Sequence, residues 1–196
     1  MDEQAQQPLT PSERRRRERR MSTRTVLQEA DIARALTRIS HEILESNRGP
    51  DDLVILGIPT RGATLATRVA ALLTEFSGTP VPVGALDITM YRDDLSRNPT
   101  RAPQPTSIPP EGIDGKTVVL VDDVLFSGRT IRAALDALGD IGRPAAVRLA
   151  ILVDRGHREL PIRPDFVGKN LPSARDERVF VRLADVDRIE EVTIES

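Results

Sequence analysis

The chain has 196 residues, 28 Lys and Arg against 30 Asp and Glu, two His and no Cys. That length buries one good core, so a single domain with embellishments is expected. Without Cys, disulfides and thiolate chemistry are excluded and two His leave no basis for a structural zinc site; no signal peptide and no apolar run near the roughly 20 residues of a membrane span is visible, so a cytoplasmic protein is expected.

The net charge of −2 is unevenly spread. Residues 1–20 hold six Arg against Asp2, Glu3, Glu13 and Glu18, a local +2, which leaves −4 on the remaining 176 residues. Any nucleic-acid surface on the body must therefore be a local patch. Residues 1–23, rich in Gln, Pro and Arg and nearly devoid of apolar side chains, read as a disordered tail that is either inert or a weak electrostatic contact for RNA. Residues 24–196 form the expected domain.

Thr25 to Leu27 reads as a short strand. From Gln28 to Ser46, Ile32, Leu36, Ile39 and Ile43 recur at spacings of 4, 3 and 4, which predicts an amphipathic helix ending at Asn47-Arg48-Gly49-Pro50. Arg34, Arg38 and His41 share the opposite face, with Thr37 beside them. That face is either solvated and paired with Glu42 and Glu45, or a local basic patch for RNA. Leu53 to Ile58 predicts a buried strand, Pro59 to Gly62 a turn, Ala63 to Phe76 a helix and Val81 to Ile88 a third strand. Residues 89–116 carry five Pro with Arg92, Arg97 and Arg101 and little periodicity, the composition of a long functional or disordered loop.

The next stretch is the most informative. Val118 to Val121 is a strand buried on both faces, Asp122 and Asp123 sit where it should end, and Ser127-Gly128-Arg129-Thr130 leads into a helical pattern from Ile131 to Leu138. A strand, a tight loop and a helix N-terminus make an anion cradle of free N–H groups. Carboxylates ahead of such a cradle repel phosphate, so they should face hydroxyl groups or Mg²⁺. A buried strand whose acid merely caps the next helix needs one Asp and no Gly-Arg-Thr after it. Ala146 to Val153 predicts another strand, residues 154–178 read as irregular, and Val179 to Leu183 and Val192 to Ile194 as short terminal strands. Strand–helix alternation of this kind predicts an α/β fold with a mostly parallel sheet covered on both faces.

The run Val118 to Thr130 resembles the phosphoribosyl pyrophosphate (PRPP) signature of type I phosphoribosyltransferases. Leu86 to Thr89, Tyr91 to Leu95 and Val153 to Pro172 narrow the resemblance to the bacterial pyrimidine operon attenuation family, whose members are also uracil phosphoribosyltransferases. It covers roughly residues 25–194. The resemblance implies a type I fold with a small hood subdomain at about 154–178 and a mobile arm within 89–116 that excludes water. It implies that Thr60, Arg61 and Gly62 bind pyrophosphate and that Arg92 and Arg101 reach PRPP. Asp122 and Asp123 would bind ribose hydroxyls directly or through Mg²⁺, while Val124, Leu125, Phe126, Ser127, Gly128, Arg129 and Thr130 surround the 5′-phosphate. Arg155, Phe166, Val167 and Lys169 would form the uracil hood. The implied partners are PRPP, uracil, UMP or UTP, and pyr operon mRNA, with His157, Arg158 and Arg163 as further RNA candidates beside the helix face. A homo-oligomer, dimer or higher, is implied as well. Asp165-Phe166-Val167-Gly168 also resembles the hood of hypoxanthine phosphoribosyltransferases, which keeps a purine enzyme open, as is a catalytically idle PRPP sensor.

Overall fold

The structure is a computed structural model that describes residues 23–93 and 105–196. The Arg-rich run 14–20, Asp94, Leu95, Arg97 and Arg101 lie outside them. In chain order the elements are β1 (Thr23–Gln28), α1 (Glu29–Asn47), β2 (Leu53–Gly57), α2 (Arg61–Ser77), β3 (Val83–Ala85), a 3-10 turn at Thr89–Tyr91, β4 (Thr117–Leu125), α3 (Arg129–Ile141), β5 (Ala146–Asp154), β6 (Phe166–Asn170), β7 (Arg178–Arg182), α4 (Ala184–Asp187) and β8 (Glu191–Glu195).

Five strands form one parallel sheet in the order β3-β2-β4-β5-β6. Alternation along β4 explains its two-sided burial. Val119 and Val121 pack with α1 and α2 on one face, and Val118 and Leu120 pack with Ile131, Ala134 and Leu138 of α3 on the other. The expected stripe of α1 is the buried one: Ile32, Leu36, Ile39 and Ile43 are all in the core. Each such side chain contributes about 1.5–3 kcal/mol of hydrophobic burial. Among the described residues no helix is long and apolar enough to cross a membrane.

Three expectations need correction. The strand placed at 81–88 is confined to Val83–Ala85. There a bridge between Ala85 and Ser107 brings the returning loop so close that a Cβ on Gly84 would stand 2.1 Å from the Ser107 carbonyl. The segment 154–178 is not irregular throughout, because Phe166–Asn170 is the fifth strand of the main sheet. Gly168 masks its pattern: the residue sits where a Cβ would meet the Leu152 carbonyl at 2.5 Å and the Ala35 methyl at 3.3 Å, a close approach that only Gly allows. The small second sheet is accordingly built from the chain's two ends, as the antiparallel order β1-β8-β7, and Thr23 belongs to it rather than to the tail. Its apolar residues Leu27, Val181, Val192 and Ile194 continue the core on the α1–α2 side.

The arm region is also narrower than 89–116. Thr89 is buried, Ile113 is in the core, and the Tyr91 hydroxyl donates to Asp140 on α3 at 2.7 Å. The carboxylate next to it raises the Tyr91 pKa.

Candidate functional site

Two strand-to-helix turns meet at the C-terminal ends of the neighbouring strands β2 and β4, the position at which open α/β sheets place ligands. The helices that start there carry no acidic residue in the first turn and no cap from the N-cap side chain. At α3 a hydroxyl stands in part for one, since Ser127 Oγ accepts the Arg129 N–H at 3.3 Å. By contrast α1, which starts elsewhere, carries Glu29 and Asp31 in its first turn, and the Asp31 carboxylate accepts the Gln28 N–H at 3.0 Å. Orphan N–H groups and positive dipole ends are thus left for an anion at the two turns and nowhere needed at the third.

Two adjoining cavities occupy this corner. One, of about 270 Å³, is lined by Arg92, Asp93 and every residue from Val124 to Thr130. The other, of about 130 Å³, is lined by Thr60, Arg61, Asp122 and Asp123 among others, and shares Arg92, Val124 and Thr130 with the first. The sequence candidates Thr60, Arg61, Arg92, Asp122, Asp123 and Val124 to Thr130 therefore come together.

Gly62 serves the site by its lack of a side chain. A Cβ there would lie 2.6 Å from the Val121 carbonyl and 3.1 Å from Asp122 Oδ1, so the turn can seat against the acid pair only as Gly. The Pro59–Thr60 peptide is cis. Asp122 is 7% exposed and its Oδ1 accepts the Asp123 N–H at 2.9 Å, while Asp123 Oδ1 accepts the Val124 N–H at 2.8 Å. Among the described residues no group of three or more His, Cys, Asp or Glu is arranged to hold a metal.

Several cations are committed within the fold. Arg129 donates to Asp93 at 2.6 Å and to Glu159 at 2.9 Å, and these carboxylates raise its pKa. Its side chain thus ties the loops around the cradle together, and its N–H reaches Ser127 Oγ at 3.3 Å. Gly128 has φ +94°, and a Cβ there would face Ile162 and Leu160 at 3.4 Å, so its demand comes from the left-handed backbone rather than from a group inside the cavity. The 155–162 loop is pinned over the cradle by the Ser127 carbonyl, which accepts the N–H groups of Glu159 and Leu160 at 2.9 and 3.1 Å.

A third cavity, of about 390 Å³, lies beyond the ends of β5 and β6 and is lined by Asp154 to His157 and Asn170 to Ser173. Phe126 separates it from the cradle, with the Arg155 guanidinium 4.3 Å above its ring and His157 edge-on at 5.9 Å. Arg155 is buried and donates to Ser173 Oγ, Ala174 O and Glu177 O at 3.0, 2.9 and 2.8 Å, and burial lowers its pKa. It orders the 173–177 loop that bounds this cavity. His157 Nε2 contacts the Ser173 carbonyl at 2.6 Å.

The hood residues expected at Phe166, Val167 and Lys169 do not reach this space. They belong to β6; Phe166 is in the core, and Lys169 is exposed on the edge strand. The purine alternative, which stood on Asp165 to Gly168 as a hood, loses that footing.

The polar face of α1 forms an open groove of about 560 Å³ that includes Arg34, Thr37, Arg38 and His41. Two of these residues also hold the fold. Arg38 donates to the Val167 and Gly168 carbonyls of the edge strand at 2.9 and 2.8 Å and pairs with Glu42, and His41 stacks on Phe76 at 4.2 Å. Arg34, 71% exposed, pairs with Asp31. Of the other RNA candidates, Arg158 is absorbed by its own loop, donating to Ile162 O and Phe126 O at 3.0 Å, while Arg163 is exposed.

Sequence reasoning missed Asp187, which pairs with Arg61, and, within the hood expected at about 154–178, did not single out the cavity residues Asn170 to Ser173. The partners lie far away in the chain, and no local pattern marks them.

The sequence matches the family described as "Phosphoribosyl transferase domain" over residues 22–186. It is 74% identical over 180 residues to "Bifunctional protein PyrR" of Leifsonia xyli subsp. xyli, covering 89% of this chain and 98% of that protein. It is 63% identical over 173 residues to the protein of the same name from Streptomyces coelicolor, covering 88% and 90%. Among solved structures, a hypoxanthine phosphoribosyltransferase from Staphylococcus aureus superposes with a TM-score of 0.65 at 19% identity, over 92% of this chain and 96% of that one, a likeness of fold. The chain therefore belongs to the phosphoribosyl transferase domain family and, within it, to the bifunctional PyrR proteins.

Proposed function

We propose that the protein transfers the phosphoribosyl group of PRPP to uracil, giving UMP and pyrophosphate. The observation that carries this is the joining of an acid pair and two helix N-termini without acidic residues around adjoining cavities. The 5′-phosphate sits in the larger cavity against the backbone of Ser127 to Thr130, and the pyrophosphate against Thr60 and Arg61. Asp122 and Asp123 then face the ribose hydroxyls between them. As uracil N1 bonds to C1, the C1–O bond to pyrophosphate breaks and the N1 proton is released. Positive charge grows on the ribosyl ring at this stage, and the two carboxylates favour it.

Among the described residues no third His, Cys, Asp or Glu joins Asp122 and Asp123 as a metal group, which suits Mg²⁺ that would be held mainly by substrate oxygens and water, with these two carboxylates as the protein's share. When bound it neutralises charge on the departing pyrophosphate. Uracil occupies the third cavity across Phe126, where the loop ordered by Arg155 presents backbone groups to the base edge. Arg92, which borders both smaller cavities, closes the site from the arm side. Assay of the purified protein with PRPP and either uracil or hypoxanthine tests the reading. UMP is the expected product, and IMP formation would reverse the choice of base.

The second half of the reading is regulatory: with UMP or UTP bound, the protein binds pyr leader RNA in the cytoplasm, as a homo-oligomer, and lowers expression of the operon. The α1 groove supports it with the donors of two Arg, a Thr and a His, next to Glu42 and Glu45 in the same lining, on a body of net negative charge. Because Arg38 and His41 also hold β6 and α2, Arg34 and Thr37 are the informative pair. Arg34→Gln with Thr37→Val should weaken RNA binding, by about 1–3 kcal/mol per lost specific contact, and reduce the salt slope by about 1. Uracil transfer should stay normal in the same preparation. A gel shift with UMP that shows full affinity in the double variant would remove this groove from the RNA site.

A further inference from the structure

We infer that Asp187, the last residue of α4, is a positioning residue for pyrophosphate that holds the Arg61 guanidinium at the edge of the acid-pair cavity. The inference rests on the reading of the Pro59–Gly62 turn as the pyrophosphate loop. Arg61 Nε and Nη2 meet Asp187 Oδ2 and Oδ1 at 3.1 and 2.7 Å, a two-pronged fork. The carboxylate is itself fixed, since Oδ2 also accepts the Leu183 N–H at 3.0 Å. Both side chains are partly buried, 32% and 20% exposed, and Arg61 lines the cavity that holds Asp122 and Asp123.

A free Arg at the start of a helix samples many rotamers, and ordering it on ligand binding costs affinity. Here the order exists beforehand. The fork uses Nε and Nη2, which leaves the Nη1 donors for a phosphate oxygen. The pairing also lowers the Asp187 pKa and raises that of Arg61, so both partners stay charged.

The same corner contains a natural control. Arg68, two helical turns along α2, pairs with Asp185 at 2.8 Å and with Glu190. Glu190 thus ties this corner to α2 much as Asp187 does, with a side chain 8% exposed and an Oε2 that also accepts the Ala184 N–H at 2.7 Å, but Arg68 and Glu190 do not line the cavity. If docking of the small sheet were all that mattered, losing the charge of Asp187 or of Glu190 would have similar effects.

The test uses initial rates and product inhibition by pyrophosphate on the full chain. Asp187→Asn should raise both the KM for PRPP and the inhibition constant for pyrophosphate by about tenfold, the scale of one charge-assisted hydrogen bond, with the KM for uracil little changed. Glu190→Gln should leave all three near wild type. Arg61→Ala should show a larger loss, and adding Asp187→Asn to it should bring no further loss. Equal effects of Asp187→Asn and Glu190→Gln, or full additivity of Asp187→Asn with Arg61→Ala, would overturn the inference. So would normal PRPP and pyrophosphate constants in Asp187→Asn when Arg61→Ala is impaired, and in that case the pyrophosphate-loop reading stands. Unchanged constants in Arg61→Ala would instead sink that reading, whatever Asp187 does.

Discussion

Replacing Asp122 or Asp123 by Asn should lower kcat for phosphoribosyl transfer by about 10²–10³, or about 2.7–4 kcal/mol, the usual cost of removing one preorganised charge-stabilising group. Asn keeps the shape of Asp and its oxygen. The hydrogen bonds that Asp122 and Asp123 accept from the next residues' N–H groups at 2.9 and 2.8 Å therefore survive. The charge is what disappears, from a buried position at Asp122 and a half-buried one at Asp123, where water replaces it poorly. The melting temperature should change little. Asp122, at 7% exposure against Gly62, should be the more sensitive of the two. Steady-state rates with uracil and PRPP decide the matter, and near-normal kcat in both variants would show that the acid pair has no part in the chemistry.

The second large effect concerns Gly128. Its φ of +94° is closed to β-branched side chains, and it immediately precedes the first helical residue of α3. Gly128→Val must either hold a strained backbone, at about 1–3 kcal/mol, or let the turn relax and the N–H groups of the cradle diverge. A side chain would also press on Ile162 and Leu160, which the Ser127 carbonyl holds in place. The expected result is a rise of about tenfold or more in the KM for PRPP with a smaller change in kcat, since the phosphate contact forms in the ground state and persists. An unchanged PRPP dependence would mean that the loop is a turn without a ligand.

How far the sequence could be read depended on chain distance. The β4–loop–α3 unit and the Pro59–Gly62 turn were legible because strand, turn and helix signals lie within a few residues of each other. The stripe of α1 was legible for the same reason. What was lost are pairings across the chain. Arg61 meets Asp187 at a separation of 126 residues, Arg38 meets the β6 carbonyls at 129 and 130, and Arg129 meets Asp93 at 36. Each of these Arg side chains has a partner within the fold that lies out of sight in the sequence, whether or not it also faces a ligand. Phe166 was misplaced for a related reason: Gly168 breaks the alternation that would have marked β6, and the aromatic ring was assigned to a base instead of the core. Arg155 was singled out for the base, yet it acts on the loop around the cavity through three hydrogen bonds that no spacing rule announces.

The central claim is that the cradle, the acid pair and the Arg61 turn act together on one PRPP molecule and pass its ribosyl group to uracil. Phosphorus NMR of a reaction mixture of protein, Mg²⁺, PRPP and uracil tests this directly. The account predicts that the PRPP signals are replaced by equal amounts of free pyrophosphate and a nucleoside 5′-monophosphate, only when uracil is present. Release of pyrophosphate with ribose 5-phosphate, at a rate indifferent to uracil, would contradict it.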